Sequence, residues 1–192
     1  MTRAKPKQKQ SNQLRIIGGE WRGRKLAFPD LPGLRPTSDR VRETLFNWLQ
    51  FDVMGAKCLD LFAGSGALGL EALSRGAALV TFVDAQRESI AQLKLNLQAL
   101  KTDKARCIEA DAIKFLERQQ DPFDIIFLDP PFQMEFLPKV VQLLASGKLL
   151  KSGALIYLEM EKNLVLDELP DHWLLSREKT AGQVRYMLFN IE

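Results

Sequence analysis

Histidine and cysteine are scarce in this chain of 192 residues, and their scarcity argues against several kinds of active site. The sequence contains one histidine, His172, and two cysteines, Cys58 and Cys107. These residues cannot build a zinc site of the usual spacing, and a lone histidine beside a tryptophan in a late loop disfavours a histidine-based triad. We therefore predict no metal centre. Both cysteines fall in predicted strands, so we interpret them as reduced, buried thiols of a cytoplasmic protein.

Long apolar runs are missing as well. No stretch reaches the roughly 20 apolar residues that cross a bilayer, and the basic, polar first residues do not resemble a secretory signal. Hydrophobic residues make up 46% of the chain and charged residues 27%, which is typical of a globular domain with a sizeable core. We expect a monomer of one domain, or of one domain with an appendage, and no association with membranes.

The positive charge is concentrated at the front of the chain. Residues 1–48 hold 11 Lys and Arg against 4 Asp and Glu, whereas residues 49–192 hold 16 against 20. A basic front end on a slightly acidic body suits an enzyme that acts on a polyanion such as RNA, although a solubilising tail would give the same asymmetry.

Residues 1–56 are predicted to form a tail and a small extension. Residues 1–13 are polar and are predicted to be disordered. Apolar residues at 14–17 and 24–28 around Gly18 and Gly19 suggest a hairpin. Residues 38–50 carry apolar side chains at helical spacing, with Thr37 or Ser38 as the N-cap.

From residue 57 onward, strands and helices alternate. Short apolar strands are predicted at residues 57–62, 78–84, 106–110, 124–129 and 154–159, with helices at 67–75, 86–100, 112–119 and 134–144 between them. Such alternation predicts a mostly parallel sheet that is covered on both faces. Strands at 173–179 and 184–191 are too close together for a crossover, so one of them must run in reverse. We predict three parts: a disordered basic tail (1–13), a hairpin and helix extension (14–56) and an α/β catalytic domain (57–192).

A glycine loop joins the first of these strands to its helix. Gly64, Gly66 and Gly69 form a G-x-G-x-x-G pattern, and Asp84 follows 20 residues after Gly64 at the end of the next strand. This pattern fits a dinucleotide site with its ribose-binding acid. It fits S-adenosylmethionine too, so a nicotinamide-dependent oxidoreductase is one alternative.

Acidic residues at the strand ends favour the second cofactor. Asp60 leads into the glycine loop, where its charge would oppose a pyrophosphate but would suit the sulfonium and ammonium of S-adenosylmethionine. We expect Asp60 to face the amino acid end of the cofactor, Asp84 its ribose and Asp111 its adenine amino group. Each could instead cap a helix or complement its dipole, an alternative that is strongest for Asp111.

A second motif, Asp129-Pro130-Pro131-Phe132, comes directly after the fourth strand of the series. The carboxylate of Asp129 can accept a hydrogen bond from an amine, and the two prolines remove competing N–H donors. Phe132 offers a ring on which a base can stack. A strand end with a proline turn after it is the structural alternative. The chemistry of the motif selects an exocyclic amine but does not distinguish guanine N2 from adenine N6 or a glutamine amide.

These motifs together resemble class I S-adenosylmethionine-dependent methyltransferases. Residues 60–69 look like their motif I, and residues 129–132 look like motif IV of the branch that methylates amines. The stretches 15–25 and 35–47 are similar to a narrower group, the RsmD family, bacterial enzymes that methylate a guanine N2 in 16S ribosomal RNA.

The resemblance implies a Rossmann-like, seven-stranded sheet and a set of site residues. It implies S-adenosylmethionine as cofactor and 16S ribosomal RNA, within a small-subunit particle, as partner. It places Asp129, Pro130, Pro131 and Phe132 at the target base, and the residues nearest to the cofactor are Gly64, Gly66, Asp84, Asp111, Arg35, Thr37 and Arg40. Arg35, Thr37 and Arg40 could instead only brace the helix at residues 38–50. The basic residues expected to meet RNA are Arg15, Arg22, Arg24 and Lys25.

Overall fold

The structure is a computed structural model that describes residues 12–34, 36–131, 137–146, 148–164 and 169–192. Arg35, Phe132 and nearly all of the predicted tail lie outside the described residues. The remaining predicted site residues lie within them.

A hairpin and a helix open the described chain. Strands β1 (Asn12–Arg15) and β2 (Lys25–Phe28) pair antiparallel, so the predicted hairpin is present. Its first strand begins earlier than predicted, because Asn12 and Gln13, placed in the disordered tail, pair with Phe28 and Ala27. Helix α1 (Asp39–Trp48) comes next, and the side chain of its N-cap, Ser38, accepts a hydrogen bond from the Val41 amide at 3.4 Å. This cap explains why the helix begins here, because a serine oxygen satisfies an amide that has no partner within the helix.

Alternating strands and helices then build one sheet. The strands are β3 (Lys57–Asp60), β4 (Leu79–Asp84), β5 (Ala105–Glu109), β6 (Phe123–Leu128), β7 (Leu150–Glu161), β8 (Trp173–Ala181) and β9 (Val184–Ile191). The helices are α2 (Ala67–Ser74), α3 (Arg87–Leu100), α4 (Ala112–Arg118) and α5 (Leu137–Ala145). The strand order is β5-β4-β3-β6-β7-β9-β8.

The first five strands of that order are parallel, and β9 runs antiparallel to both of its neighbours. The predicted seven-stranded, mostly parallel sheet with a reversed strand is therefore confirmed. Because the chain order reverses between β3 and β6, the carboxyl ends of these strands border the crevice in which open α/β sheets bind ligands.

Side chains alternate between the two faces of the sheet, and each face buries its own core. Cys58, Phe127 and Tyr157 pack on the face that is covered by α1, α2, α3 and the N-terminal hairpin. Ile126 and Leu128 pack on the opposite face with α4 and α5. One hydrophobic core thus joins the extension to the sheet, and it includes Leu14, Ile16, Trp21, Leu26, Phe28, Val41, Leu45 and Phe46.

Two details depart from the sequence analysis. Cys58 is buried, but Cys107 is only partly buried because β5 is the edge strand of the sheet. Strand β7 begins at Leu150 rather than at residue 154. Phe123 pairs with Leu150 and Ile125 pairs with Leu155, so the register between β6 and β7 shifts between these two pairs.

Within the described ranges, no helix is both long and apolar enough to cross a membrane.

Candidate active site at the carboxyl edge of the sheet

Four carboxyl side chains lie at the carboxyl ends of neighbouring strands. Asp60 ends β3, Asp84 ends β4, Asp129 comes directly after β6, and Glu159 lies near the end of β7. The three aspartates were predicted from the sequence, whereas Glu159 was not. The available signal was a glutamate inside the apolar run of residues 154–160, but it was interpreted as the end of the predicted strand.

Asp60 is buried beneath the glycine loop, with only 2% of its surface exposed. Its Oδ2 accepts a hydrogen bond from the Gly69 amide, in the first turn of α2, at 2.9 Å. Burial raises the pKa of Asp60 to about 7, the Gly69 amide opposes that rise, and the charges of Asp129 and Asp84 add to it. The carboxyl therefore stabilises the start of α2, and a cation nearby would stabilise its ionised form.

Asp84 fixes the conformation of the glycine loop. Its Oδ2 accepts from the Gly64 amide and its Oδ1 from the Gln86 amide, both at 2.7 Å. Gly66 has a φ of +78°, and a Cβ there would collide with Leu93. Only glycine fits that position without strain, because the left-handed region disfavours residues with a Cβ.

Gly69 lets α2 approach the sheet. A Cβ at this position would strike the ring of Phe82 on β4. The third glycine of the pattern therefore serves close helix–strand packing, as it does in nucleotide-binding loops.

Asp111 caps helix α4. Its Oδ1 accepts from the Lys114 amide at 3.0 Å, which is the structural role that the sequence analysis set beside the adenine contact. A carboxylate has further lone pairs, so the predicted adenine contact is compatible with the cap and stays a prediction.

Asp129 is hydrogen-bonded to the N-terminal extension. The Thr37 hydroxyl donates to Asp129 Oδ2 at 2.9 Å, across 92 residues of sequence. Burial raises the pKa of Asp129 to about 6, and the Thr37 hydrogen bond opposes that rise. Pro130 is buried and Pro131 is exposed. Thr37 therefore contacts the residue expected to hold the substrate amine, and its predicted contact with the cofactor stays a prediction.

A buried arginine holds the backbone of Thr37 in place. Arg42, on α1, has only 1% of its surface exposed. Its Nε donates to the Thr37 carbonyl at 3.2 Å, and its Nη2 donates to the Arg15 carbonyl at 2.9 Å. Its Nη1 lies 3.5 Å from Glu71 Oε2, on α2. Arg42 therefore ties the extension to the helix that begins at the glycine loop.

The residues around Gly18 and Gly19 dock the extension onto α2. Glu71 accepts from the Ile17 and Gly18 amides at 2.9 and 2.8 Å. The Glu20 amide donates to the Ser74 carbonyl at 2.7 Å. A Cβ at Gly19 would collide with that carbonyl. This stretch, which carried part of the family resemblance, is thus a structural joint between the hairpin and α2.

The four residues expected to bind RNA differ in how free their charges are. Arg15 pairs with Asp39 at 3.0 Å, so its charge is partly neutralised. Arg22, Arg24 and Lys25 are exposed and form no ion pair with any described residue. Arg40 is likewise exposed and unpaired within the described part of the chain. Three of the four therefore present a free positive charge.

The charge of the edge discriminates between the two cofactors. None of Asp60, Asp84, Asp129 and Glu159 forms an ion pair with a described residue. A pyrophosphate would add negative charge to this cluster, whereas a sulfonium and an ammonium would offset it. The four carboxyl groups therefore fit S-adenosylmethionine and disfavour a dinucleotide.

The fold, the glycine loop and this acidic edge define a class I S-adenosylmethionine-dependent methyltransferase. Comparison with known proteins agrees. Residues 14–190 match the family described as Conserved hypothetical protein 95, and the chain belongs to that family, which is the RsmD family of the sequence resemblance.

Relatives and solved structures agree with this assignment. The chain is 52% identical to ribosomal RNA small subunit methyltransferase D of Escherichia coli K12, covering 98% of this chain and 95% of the relative. The same methyltransferase of Haemophilus influenzae is 48% identical, covering 92% of this chain and 93% of the relative. The solved structure of yhhF from Escherichia coli superposes with a TM-score of 0.88 at 50% identity, covering 94% of this chain and 99% of the other.

Proposed function

We propose that this protein transfers a methyl group from S-adenosylmethionine to the exocyclic N2 amine of a guanine in small-subunit ribosomal RNA. The observation that carries the proposal is Asp129, a carboxyl held by Thr37 at the carboxyl edge of the sheet, with two prolines directly after it. The relatives at 52% and 48% identity, which are named as small-subunit ribosomal RNA methyltransferases, support the choice of RNA.

Asp129 and the Pro130 carbonyl hold the amine. Each can accept one N–H of the base, which would leave the nitrogen lone pair aimed at the methyl donor. Such positioning matters because the lone pair of an aromatic amine is delocalised into the ring, and orientation supplies much of the rate in a displacement. Asp129 then receives the proton that the nitrogen loses. Phe132 would stack on the base once the base is flipped out.

The remaining carboxyls hold the cofactor. Bound S-adenosylmethionine supplies an electrophilic methyl group on a sulfonium. We assign the amino acid end to Asp60 with Arg35 and Arg40, the backbone approach to Gly64 and Gly66, the ribose to Asp84 and the adenine amino group to Asp111. We assign Thr37 to Asp129, which it contacts directly.

The extension contributes the RNA-binding surface. We propose that Arg22, Arg24 and Lys25 contact phosphates, with Arg15 in a lesser role, because phosphate contacts supply most non-specific affinity for nucleic acids. In this proposal residues 14–56 form the RNA-binding extension of a catalytic domain at 57–192. The substrate is the assembled small-subunit particle in the cytoplasm, and the enzyme acts as a monomer.

Transfer of labelled methyl to undermethylated small-subunit particles tests the proposal. We expect label in N2-methylguanosine after digestion to nucleosides. Label in N6-methyladenosine would favour the adenine alternative, and absence of label from both the particles and the free RNA would contradict the proposal. A thermal shift with NAD and none with S-adenosylhomocysteine would revive the oxidoreductase alternative.

A further inference from the structure

Two carboxyls lie side by side at the base end of the site, on neighbouring strands. Leu128 of β6 pairs with Leu158 of β7, so the next residues, Asp129 and Glu159, are neighbours across the two strands. Both lie on the face that is shared by Phe127 and Tyr157, two residues before them. The charge of Asp129 also raises the pKa of Glu159. Parallel strands are about 4.8 Å apart, so the pair can address two neighbouring atoms of one base.

Each carboxyl is fixed by one hydroxyl. Thr37 donates to Asp129 Oδ2 at 2.9 Å, and Tyr157 donates to Glu159 Oε2 at 2.7 Å. Among the described residues, no hydrogen bond reaches Asp129 Oδ1 or Glu159 Oε1. Each carboxyl group is thus oriented by one hydrogen bond and has a second oxygen that no described residue binds.

Glu159 is 93% buried, so its position calls for an explanation. Only 7% of its surface is exposed, and taking a carboxyl out of water is costly even when one oxygen is hydrogen-bonded. Burial raises the pKa of Glu159 to about 8, the charge of Asp129 adds to that rise, and the Tyr157 hydrogen bond opposes it. An aliphatic residue would fill the same place at lower cost to stability, which points to a role beyond packing.

The strand order indicates which atom of the base Glu159 meets. The cofactor edge is formed by β5, β4 and β3, Asp129 comes directly after β6, and Glu159 lies on β7, one strand farther from the cofactor. A base whose N2 sits at Asp129 therefore directs the next atom of its edge toward Glu159. In guanine the amine-bearing carbon is flanked by N1, which carries a hydrogen, and by N3, which does not, so N1–H is the neighbour that a carboxylate can bind. In adenine the corresponding ring nitrogen, beside the exocyclic amine, is an acceptor.

We propose that Glu159 specifies guanine by accepting a hydrogen bond from N1–H through Oε1, while Asp129 holds the N2 amine. This inference rests on the proposed function and adds the residue that selects the base. Above its raised pKa of about 8 the Glu159 carboxyl is ionised and can only accept. An adenine placed in the same way would then turn a lone pair toward that carboxylate. Tyr157 is then a positioning residue that fixes the orientation of Glu159.

The test compares two bases that share the reacting amine. 2-Aminopurine keeps the exocyclic N2 amine but has an acceptor at N1. Small-subunit particles are reconstituted with guanine or 2-aminopurine at the target nucleotide, and methyl transfer is measured with enzyme in excess at about pH 9, above the pKa of Glu159. The loss of O6 and the altered nucleophilicity of 2-aminopurine affect every variant equally, so changes in the ratio of the two rates isolate the contribution of Glu159.

We expect the wild-type protein to prefer guanine and Glu159→Met to reduce that preference by about tenfold or more, the change expected when a hydrogen bond to a charged group is lost. Tyr157→Phe keeps the carboxyl and should reduce the preference less. Glu117→Met, on α4 and paired with Lys139, is the matched control and should leave it unchanged. Binding of S-adenosylhomocysteine verifies that each variant is folded.

An equal loss of rate with both bases in Glu159→Met would overturn the assignment, and so would a larger loss with 2-aminopurine. If Glu159→Met fails to fold, an unchanged preference in Tyr157→Phe would overturn it. Failure of the proposed function looks different, because the wild-type protein would then not methylate guanine at all.

Discussion

The sheet edge and the N-terminal extension contribute to the site in opposite ways. The edge supplies carboxyls that lack ion pairs among the described residues. Asp60 and Glu159 are buried, Asp84 and Asp129 are partly buried, and Asp60, Asp129 and Glu159 have raised pKa values. The extension supplies exposed cations and one buried arginine, Arg42, that anchors it. The extension holds Asp129 through the Thr37 hydrogen bond. In our proposal the edge performs the chemistry, while the extension presents positive charge to the RNA.

The largest expected effect is at Asp129. Replacing it with alanine should reduce methyl transfer by about 100-fold to 10,000-fold, because the residue orients the amine and receives its proton. Affinity for S-adenosylhomocysteine should change by less than about threefold in calorimetry. Asp121→Ala, an exposed aspartate before β6, is the control. A comparable loss of cofactor affinity would place Asp129 in the cofactor site instead.

Arg42→Met should destabilise the fold most. Among the described residues it leaves buried Glu71 with one paired cation, Arg75, at 2.8 Å, and it removes the donors to the Thr37 and Arg15 carbonyls. Breaking a buried ion pair costs about 3–5 kcal/mol, and we expect the lower end because Arg75 remains. Denaturant unfolding measures the loss, with the exposed Arg177→Met as control. A loss below about 1 kcal/mol would show that the extension is not anchored through Arg42.

Thr37→Val should shift the pH dependence of the reaction. Asp129 must be ionised to accept from the amine, so single-turnover methyl transfer should fall as the pH drops through about 6. The Thr37 hydrogen bond lowers that pKa, so its removal should move the midpoint to higher pH, by about one unit at most. Thr44→Val, which removes a hydroxyl bonded to the Arg40 carbonyl, should not move it. A weaker affinity for S-adenosylhomocysteine with an unmoved midpoint would favour the predicted cofactor contact.

The smallest effect is expected from the surface charges. Replacing Arg22, Arg24 and Lys25 with glutamine should weaken RNA binding and lower its salt dependence by about one unit of slope for each lost phosphate contact. Arg15→Gln should change the slope less, because Arg15 is paired with Asp39. A larger change for Arg15 than for the other three would contradict this ranking.

Local pattern and strand order were sufficient to predict much of the sheet and part of its edge. Asp60 and Asp84 end apolar strands and Asp129 directly follows another, and parallel strands bring such ends to one edge, so their grouping was predictable. The reversal of one C-terminal strand could be inferred from its short link. The N-cap at Ser38 could be inferred from residue type.

Other features depend on contacts between distant segments. The hydrogen bond from Thr37 to Asp129 spans 92 residues, and no local pattern marks it. The position of β9 between β7 and β8 is set by tertiary packing and not by any local sequence pattern. Glu159 was missed because a glutamate near the end of an apolar run also fits an ordinary strand terminus, and its place beside Asp129 follows only from the pairing of Leu128 with Leu158.

Proton release on cofactor binding tests the central claim most directly, namely that the sheet edge is an acidic site for a cationic methyl donor. Calorimetry near pH 6.5, in buffers of different ionisation enthalpy, counts the protons released. S-Adenosylmethionine should release protons from the carboxyls of raised pKa, and S-adenosylhomocysteine, whose sulfur is neutral, should release fewer. Equal release with both ligands, or tighter binding of NAD than of either, would contradict the account.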